Sequence, residues 1–352
     1  MLNFTLSGLL ISSLSNSPFV SVSSSSYKQH KLQVIDSIFR NHFSNFLYIS
    51  SNSFSSIVKK SQFTGFLSSC IEIENSERIE SESSFSVIDT VFSDNKTPFN
   101  GGSIKVSVDS TVNVNITNCE FSNNQAGIGG GIYILSLGSL NMTNNMFKYN
   151  SANTGSHAFI SIPSCLSNND IFEYSIGTDS SISFVSHRDV TYVVSINGMN
   201  YFQNNATINF MRMTSCDISF TNCNFMKFSE TNVTNYQSEY FFDNTTTASA
   251  EFANCQFNQY YISRTTTIII GELTNYLTGS AMLTNAEEIR LVPTESPTVP
   301  NDWTSGPAIF AVTCFVFFFV VSVIGIIIVS CTNKSYGKPL ALEEDSSEKY
   351  KN

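Results

Sequence analysis

An internal repeat constrains this chain more than any other feature. Each period closes on an aromatic or aliphatic anchor: Phe39, Phe63, Phe92, Phe121, Phe147, Ile171, Tyr201, Phe225 and Phe257. The spacings are 24, 29, 29, 26, 24, 30, 24 and 32 residues. Five positions before each anchor stands an apolar residue: Val34, Val58, Val87, Ile116, Met142, Leu166, Ile196, Phe220 and Phe252. Three positions before it, seven of the nine are Asn or Asp: Asp36, Asp89, Asn118, Asn144, Asn168, Asn222 and Asn254. Self-similarity at such periods marks a stacked array, because one unit alone cannot bury its apolar face.

The pattern within one period selects the kind of array. Val112-Asn113-Val114-Asn115-Ile116-Thr117 alternates with period two, the signature of a strand with one buried face. Asn118 breaks it, since Asn tolerates left-handed backbone angles. Cys119 and Phe121 resume the alternation, Asn123-Asn124 bends the chain again, and Ile132-Tyr133-Ile134-Leu135 makes a third strand. Three short strands and three bends per period describe one coil of a parallel β-helix. About nine coils at the 4.8 Å strand spacing form a rod on the order of 40 Å long. A leucine-rich repeat is the rival, but its core matches only once, at Leu137–Asn145.

Composition agrees with a coiled array. Charged residues are 13%, with 30 Phe and a formal net charge of −10. That charge content is about half the usual share. One Phe per coil inside and Asn at the bends account for the bias. The negative charge argues against a nucleic-acid partner held by phosphate contacts, and so many Phe, Ile and Val residues exclude disorder for most of the chain.

Near the C-terminus, residues 308–331 form 24 consecutive uncharged residues. About 20 apolar residues cross a bilayer as a helix, so this segment is expected to span the membrane. Lys334 and Lys338 follow it, while Glu295 and Asp302 precede it, which places the N-terminal bulk outside the plasma membrane and the tail in the cytoplasm. The expected organisation is a signal peptide over 1–17, a β-helix ectodomain over 18–291, a Pro/Thr-rich stalk over 292–307, the span, and a tail over 332–352. Phe4, Leu6, Leu9, Leu10 and Ile11, followed by Ser15 and Ser17, suit a short export signal. The same residues also suit a first β-strand. Six sequons lie on the exported side, at Asn95, Asn115, Asn141, Asn205, Asn232 and Asn244, and are candidate glycosylation sites. Cys119, Cys223 and Cys255 share one slot, two residues before the anchor, and are expected as free buried thiols.

Phe92-Ser93-Asp94-Asn95, Phe121-Ser122-Asn123-Asn124 and Phe147-Lys148-Tyr149-Asn150 are FxxN motifs. Gly101-Gly102-Ser103-Ile104 and Gly129-Gly130-Gly131-Ile132 follow two of them. Over about residues 85 to 155 this resembles the polymorphic membrane protein repeat of right-handed β-helix surface adhesins, a solenoid of the pectin-lyase type. Ser103 and Gly131 depart from the family's GGA[ILV] tetrapeptide. The bacterial members end in a translocating β-barrel; this chain ends in one span and a short tail, as in similar single-span surface proteins of protist parasites. The resemblance implies adhesion or host contact.

No catalytic pattern emerges. Glycoside hydrolysis needs carboxylates converging on one face, and Asp170, Asp179, Asp189 and Asp217 are scattered one per coil. His187-Arg188-Asp189 reads as a solvated loop. Glu72, Glu74, Glu77, Glu80 and Glu82 read as an acidic surface stretch. Neither a metal nor a cofactor is expected. The sequence is therefore read as a single-pass surface glycoprotein for adhesion or recognition, with an extracellular protein or glycan as ligand. The alternatives are a membrane-tethered carbohydrate-active enzyme and a structural coat protein without a dedicated ligand.

Overall fold

A computed structural model describes residues 2–12, 16–24, 30–51, 53–75, 83–186, 192–202, 204–206, 209–226, 240–244, 249–258, 267–270 and 275–277. Their regular structure is all β. Three parallel sheets of 11, 11 and 9 strands run the length of a β-solenoid of the right-handed type. About seven complete turns lie between His30 and Thr214, fewer than the nine expected, with strands of further turns at both ends. After Cys216–Thr221 and Asn224–Met226 the return arc, 227–239, lies outside the described residues.

One coil shows the design. Val112–Thr117 lies in the first sheet, Glu120–Ser122 in the second and Ile132–Leu135 in the third. Between the first two strands the residue three before the anchor adopts a left-handed conformation at nine successive bends. Its φ is 49° at Asp36, 49° at Lys60, 51° at Asp89, 53° at Asn118, 56° at Asn144, 54° at Asn169, 69° at Gly198, 55° at Asn222 and 53° at Asn254. Asn, Asp and Gly are the residues that tolerate that backbone at least cost, which is why this slot was legible. A second left-handed residue follows each described anchor by two, from Asn41 to Tyr174.

The anchors stack as expected, with one correction. Phe147 pairs with Phe172, and Phe172 with Tyr201, so Phe172 rather than Ile171 is the sixth anchor. Ile171 and Phe172 are both apolar, and only the hydrogen-bond register chooses between them. The same one-residue shift makes Asn169 the bend residue instead of Asn168. It also puts buried Ser167 in the inner row, leaving Leu166 43% exposed on the outer face. A one-residue slip sends every side chain of a strand to the opposite face.

The resulting aromatic column is regular from Phe39 to Phe172, whereas Tyr201 and Phe225 lie tilted at 6.4 Å. Ring centroids lie 5.2 Å apart for Phe39–Phe63, 5.1 Å for Phe63–Phe92, 5.0 Å for Phe92–Phe121, 4.6 Å for Phe121–Phe147 and 4.8 Å for Phe147–Phe172. These separations follow the coil spacing itself. Each buried Phe contributes about 1.5–3 kcal/mol, with about 0.5–1.5 kcal/mol more per aromatic pair. The glycine motifs have a packing reason as well. A Cβ on Gly102 would stand 2.0 Å from the Gly130 carbonyl oxygen, and one on Gly130 would stand 2.2 Å from that of Ser156.

The N-terminal segment takes a coil's place. Leu2–Ser7 pairs with His30–Ile35, Leu10–Ser12 with Ile38–Arg40, and Val20–Ser24 with Leu47–Ser51. Gly8, at φ 65°, occupies the left-handed slot, and Ile11 lies in register with Phe39. Leu2–Ser7 and Leu10–Ser12, within the expected leader, are strands of the stack in this structure. Towards the opposite end Thr267–Ile270 closes on Ser249–Phe252. Ile289-Arg290-Leu291, the stalk 292–307, the span 308–331 and the tail 332–352 lie outside the described residues.

Candidate functional site

Inside the solenoid, polar side chains are organised into two ladders. The first lies at the last position of each FxxN motif. The Asn95 amide nitrogen donates to Asn124 Oδ1 at 3.0 Å, and that of Asn124 donates to Asn150 Oδ1 at 3.1 Å and to the Phe92 carbonyl at 3.1 Å. Ser175 is too short to continue the row. His157 bridges the gap, 3.1 Å from Asn150 Nδ2 and 2.7 Å from Asn204 Oδ1. Burial pushes the His157 pKa down to about 3, against the hydrogen bonds that favour the charged ring, so it stays a neutral ladder rung.

The second ladder fills the slot two before the anchor. The Cys119 backbone N–H donates to Asn145 Oδ1 at 2.9 Å, and the Asn145 N–H and amide donate to Asp170 Oδ1 at 2.8 and 2.9 Å. Ser167 Oγ donates to the other Asp170 oxygen at 2.5 Å. Burial raises the Asp170 pKa to about 7, despite these three hydrogen bonds to its charged form. The six described cysteines are free and buried, matching the expectation for Cys119, Cys223 and Cys255. Burial lifts the thiols of Cys119 and Cys216 to about 12, which makes them poor nucleophiles.

Several of the remaining acids are engaged by partners on the outer surface. Asp179 accepts from Arg212 at 2.8 Å on the outer surface, and Asp217 accepts from Ser249 at 2.5 Å on the first sheet. Glu72 meets Lys105 at 2.7 Å, and Glu74 shares the same ammonium. Asp189, with His187 and Arg188, lies outside the described residues, as do Glu77, Glu80 and Glu82.

Burial sorts the sequons. Asn95 is fully buried in the first ladder with its amide engaged, so the folded coil leaves no room for a glycan there. Asn115 and Asn141 face outwards from adjacent strands in direct register, Asn141 the more exposed. Asn205 and Asn244 lie in strands, and Asn232 is outside the described residues.

Among the features of the described outer surface is a short aromatic row that the repeat pattern did not single out. Tyr149 and Tyr174 stack at 5.0 Å and 15°, and Phe202 meets Tyr174 edge-on at 6.0 Å. Both tyrosines are half-exposed and occupy the second left-handed slot, each with φ 54°. The signal was present in the sequence: Phe147-Lys148-Tyr149 and Phe172-Glu173-Tyr174 are the same motif once Phe172 is the anchor.

The fold and its rows define a parallel β-solenoid with an apolar interior crossed by two hydrogen-bonded ladders. No family model, curated protein or solved structure matches this chain.

Proposed function

We propose that the chain is a single-pass surface protein whose solenoid lies outside the plasma membrane and presents a side face for adhesion or recognition. The observation that carries this reading is the 24-residue uncharged run at 308–331, placed after a long solenoid and flanked by lysines on its far side. The FxxN and glycine motifs, with their resemblance to the polymorphic membrane protein repeat, point to the same class. So does the partition of chemistry in the described coils, where buried Asp170 and His157 complete ladders and several outer charges are paired. A rigid rod with outward rows at a fixed spacing is suited to presenting a repeated surface. Labelling of intact expressing cells with a membrane-impermeant biotin reagent tests this. Lysines of the solenoid should be modified while Lys349 and Lys351 are spared, and protection of the solenoid in intact cells would refute the proposal.

A further inference from the structure

Tyrosine is a poor choice for a left-handed backbone position. In the other described coils the same slot holds Asn41, Gly65, Asp94 and Asn123, residue types that enter this conformation readily. A bulky side chain there is strained, and retained strain of this kind concentrates at binding sites. Two consecutive coils nevertheless place Tyr in the slot, side by side.

The stack covers one face of Tyr149 with Tyr174. The opposite face looks along the rod over Asn123, whose backbone N–H donates to the Lys148 carbonyl at 3.1 Å, and beyond it over Asp94. Asn123 and Asp94 are short and exposed, so the ring overhangs a step about one coil high. An open aromatic face above an amide and a carboxylate suits a sugar ring. Its C–H face packs on the π-system, and its hydroxyls find the acceptors and donors of Asn123, Asp94 and exposed Gln125. The surrounding charges alternate in sign: Asp94, Lys96, Glu120, Lys148 and Glu173. Lys148 and Glu120 neutralise each other at 2.9 Å. No single-sign field therefore favours an ionic partner. A protein partner would need roughly 800 Å² of matched surface per side, far more than a row three aromatic side chains long.

We propose that the Tyr149–Tyr174–Phe202 row is a binding site for a neutral saccharide, with one sugar ring seated on the open face of Tyr149. This deepens the recognition role above and rests on it. The test uses the full chain in detergent micelles and saturation-transfer NMR with chitotetraose, cellotetraose, mannotetraose and xylotetraose at millimolar concentration. At least one of the four should receive saturation from the protein. The double variant Tyr149→Asn/Tyr174→Asn restores the slot's commoner residue, so it should melt no lower than the parent while binding about tenfold more weakly or not at all. Failure of all four sugars to bind overturns the proposal. Unchanged binding by the double variant overturns it too, and a lowered melting temperature would show that the tyrosines are structural. A chain that labels at the cell surface but fails these tests loses only this site; a chain that does not label loses the reading beneath it.

Discussion

At the residue scale, Asp170 shows how a ladder can hold a group unsuited to it. Its slot contains Ser37, Ser61, Thr90, Cys119 and Asn145 in the preceding coils, all uncharged at neutral pH. Desolvation raises the Asp170 pKa from the ordinary 3.8 to about 7. Between those values the native chain binds more protons at this site than the unfolded chain, so its contribution to stability falls as pH rises through the window. Asn in this position keeps the acceptor for Asn145 and adds a donor without charge. Asp170→Asn is expected to stabilise the solenoid at about pH 8 by on the order of 2–4 kcal/mol, with the gain shrinking towards pH 4. Melting curves of both forms across that range test it, and a variant no more stable than the parent at the alkaline end contradicts it. Neutral His157 acts in the opposite sense, favouring stability as pH rises from about 3 to 6.5, so the difference between the two chains isolates Asp170.

At the scale of the element, two neighbouring asparagines of one bend do unlike work. Asn123 is exposed at φ 56°, while Asn124 is buried and holds hydrogen bonds to the coils on both sides. Asn124→Ala leaves the Phe92 carbonyl and the Asn95 N–H and amide short of partners. The expected loss is about 3–5 kcal/mol. Asn123→Ala should lose only about 1 kcal/mol through backbone strain, and Asn123→Gly almost nothing. Denaturant midpoints of the three variants give the comparison; equal losses at the two positions would contradict the ladder. The FxxN spacing announced a bend here, but spacing alone does not say which Asn turns inwards. Ile171 against Phe172 posed the same problem. Alternation inside one strand is ambiguous by a residue when both candidates are apolar, and pairing with Phe147 and Tyr201 resolves it.

For the whole molecule, the stack begins earlier than its repeat pattern suggested. Leu10 is 73% exposed and Phe4 48%, whereas Phe39 in the next coil is 1% exposed, so residues 2–24 shield the coils behind them. Removal of 1–17 would strip two strands, Leu2–Ser7 and Leu10–Ser12, from this end while leaving Phe19 packed on Phe39 and Phe46. Intact mass of the mature chain tests the leader expected over 1–17: a chain starting near Pro18 supports it, and one that retains Leu2–Ser7 contradicts it. The sequence by itself determined the coil, its period, the alternation of its strands and the left-handed bends, because these follow from backbone preference and side-chain size within a few residues. Which amide is buried, which ring joins the column, that His157 replaces a missing amide and that two tyrosines stack outside were decided only by tertiary structure. Each depends on what the neighbouring coil places about 4.8 Å away, a distance that spans some 25 residues of chain.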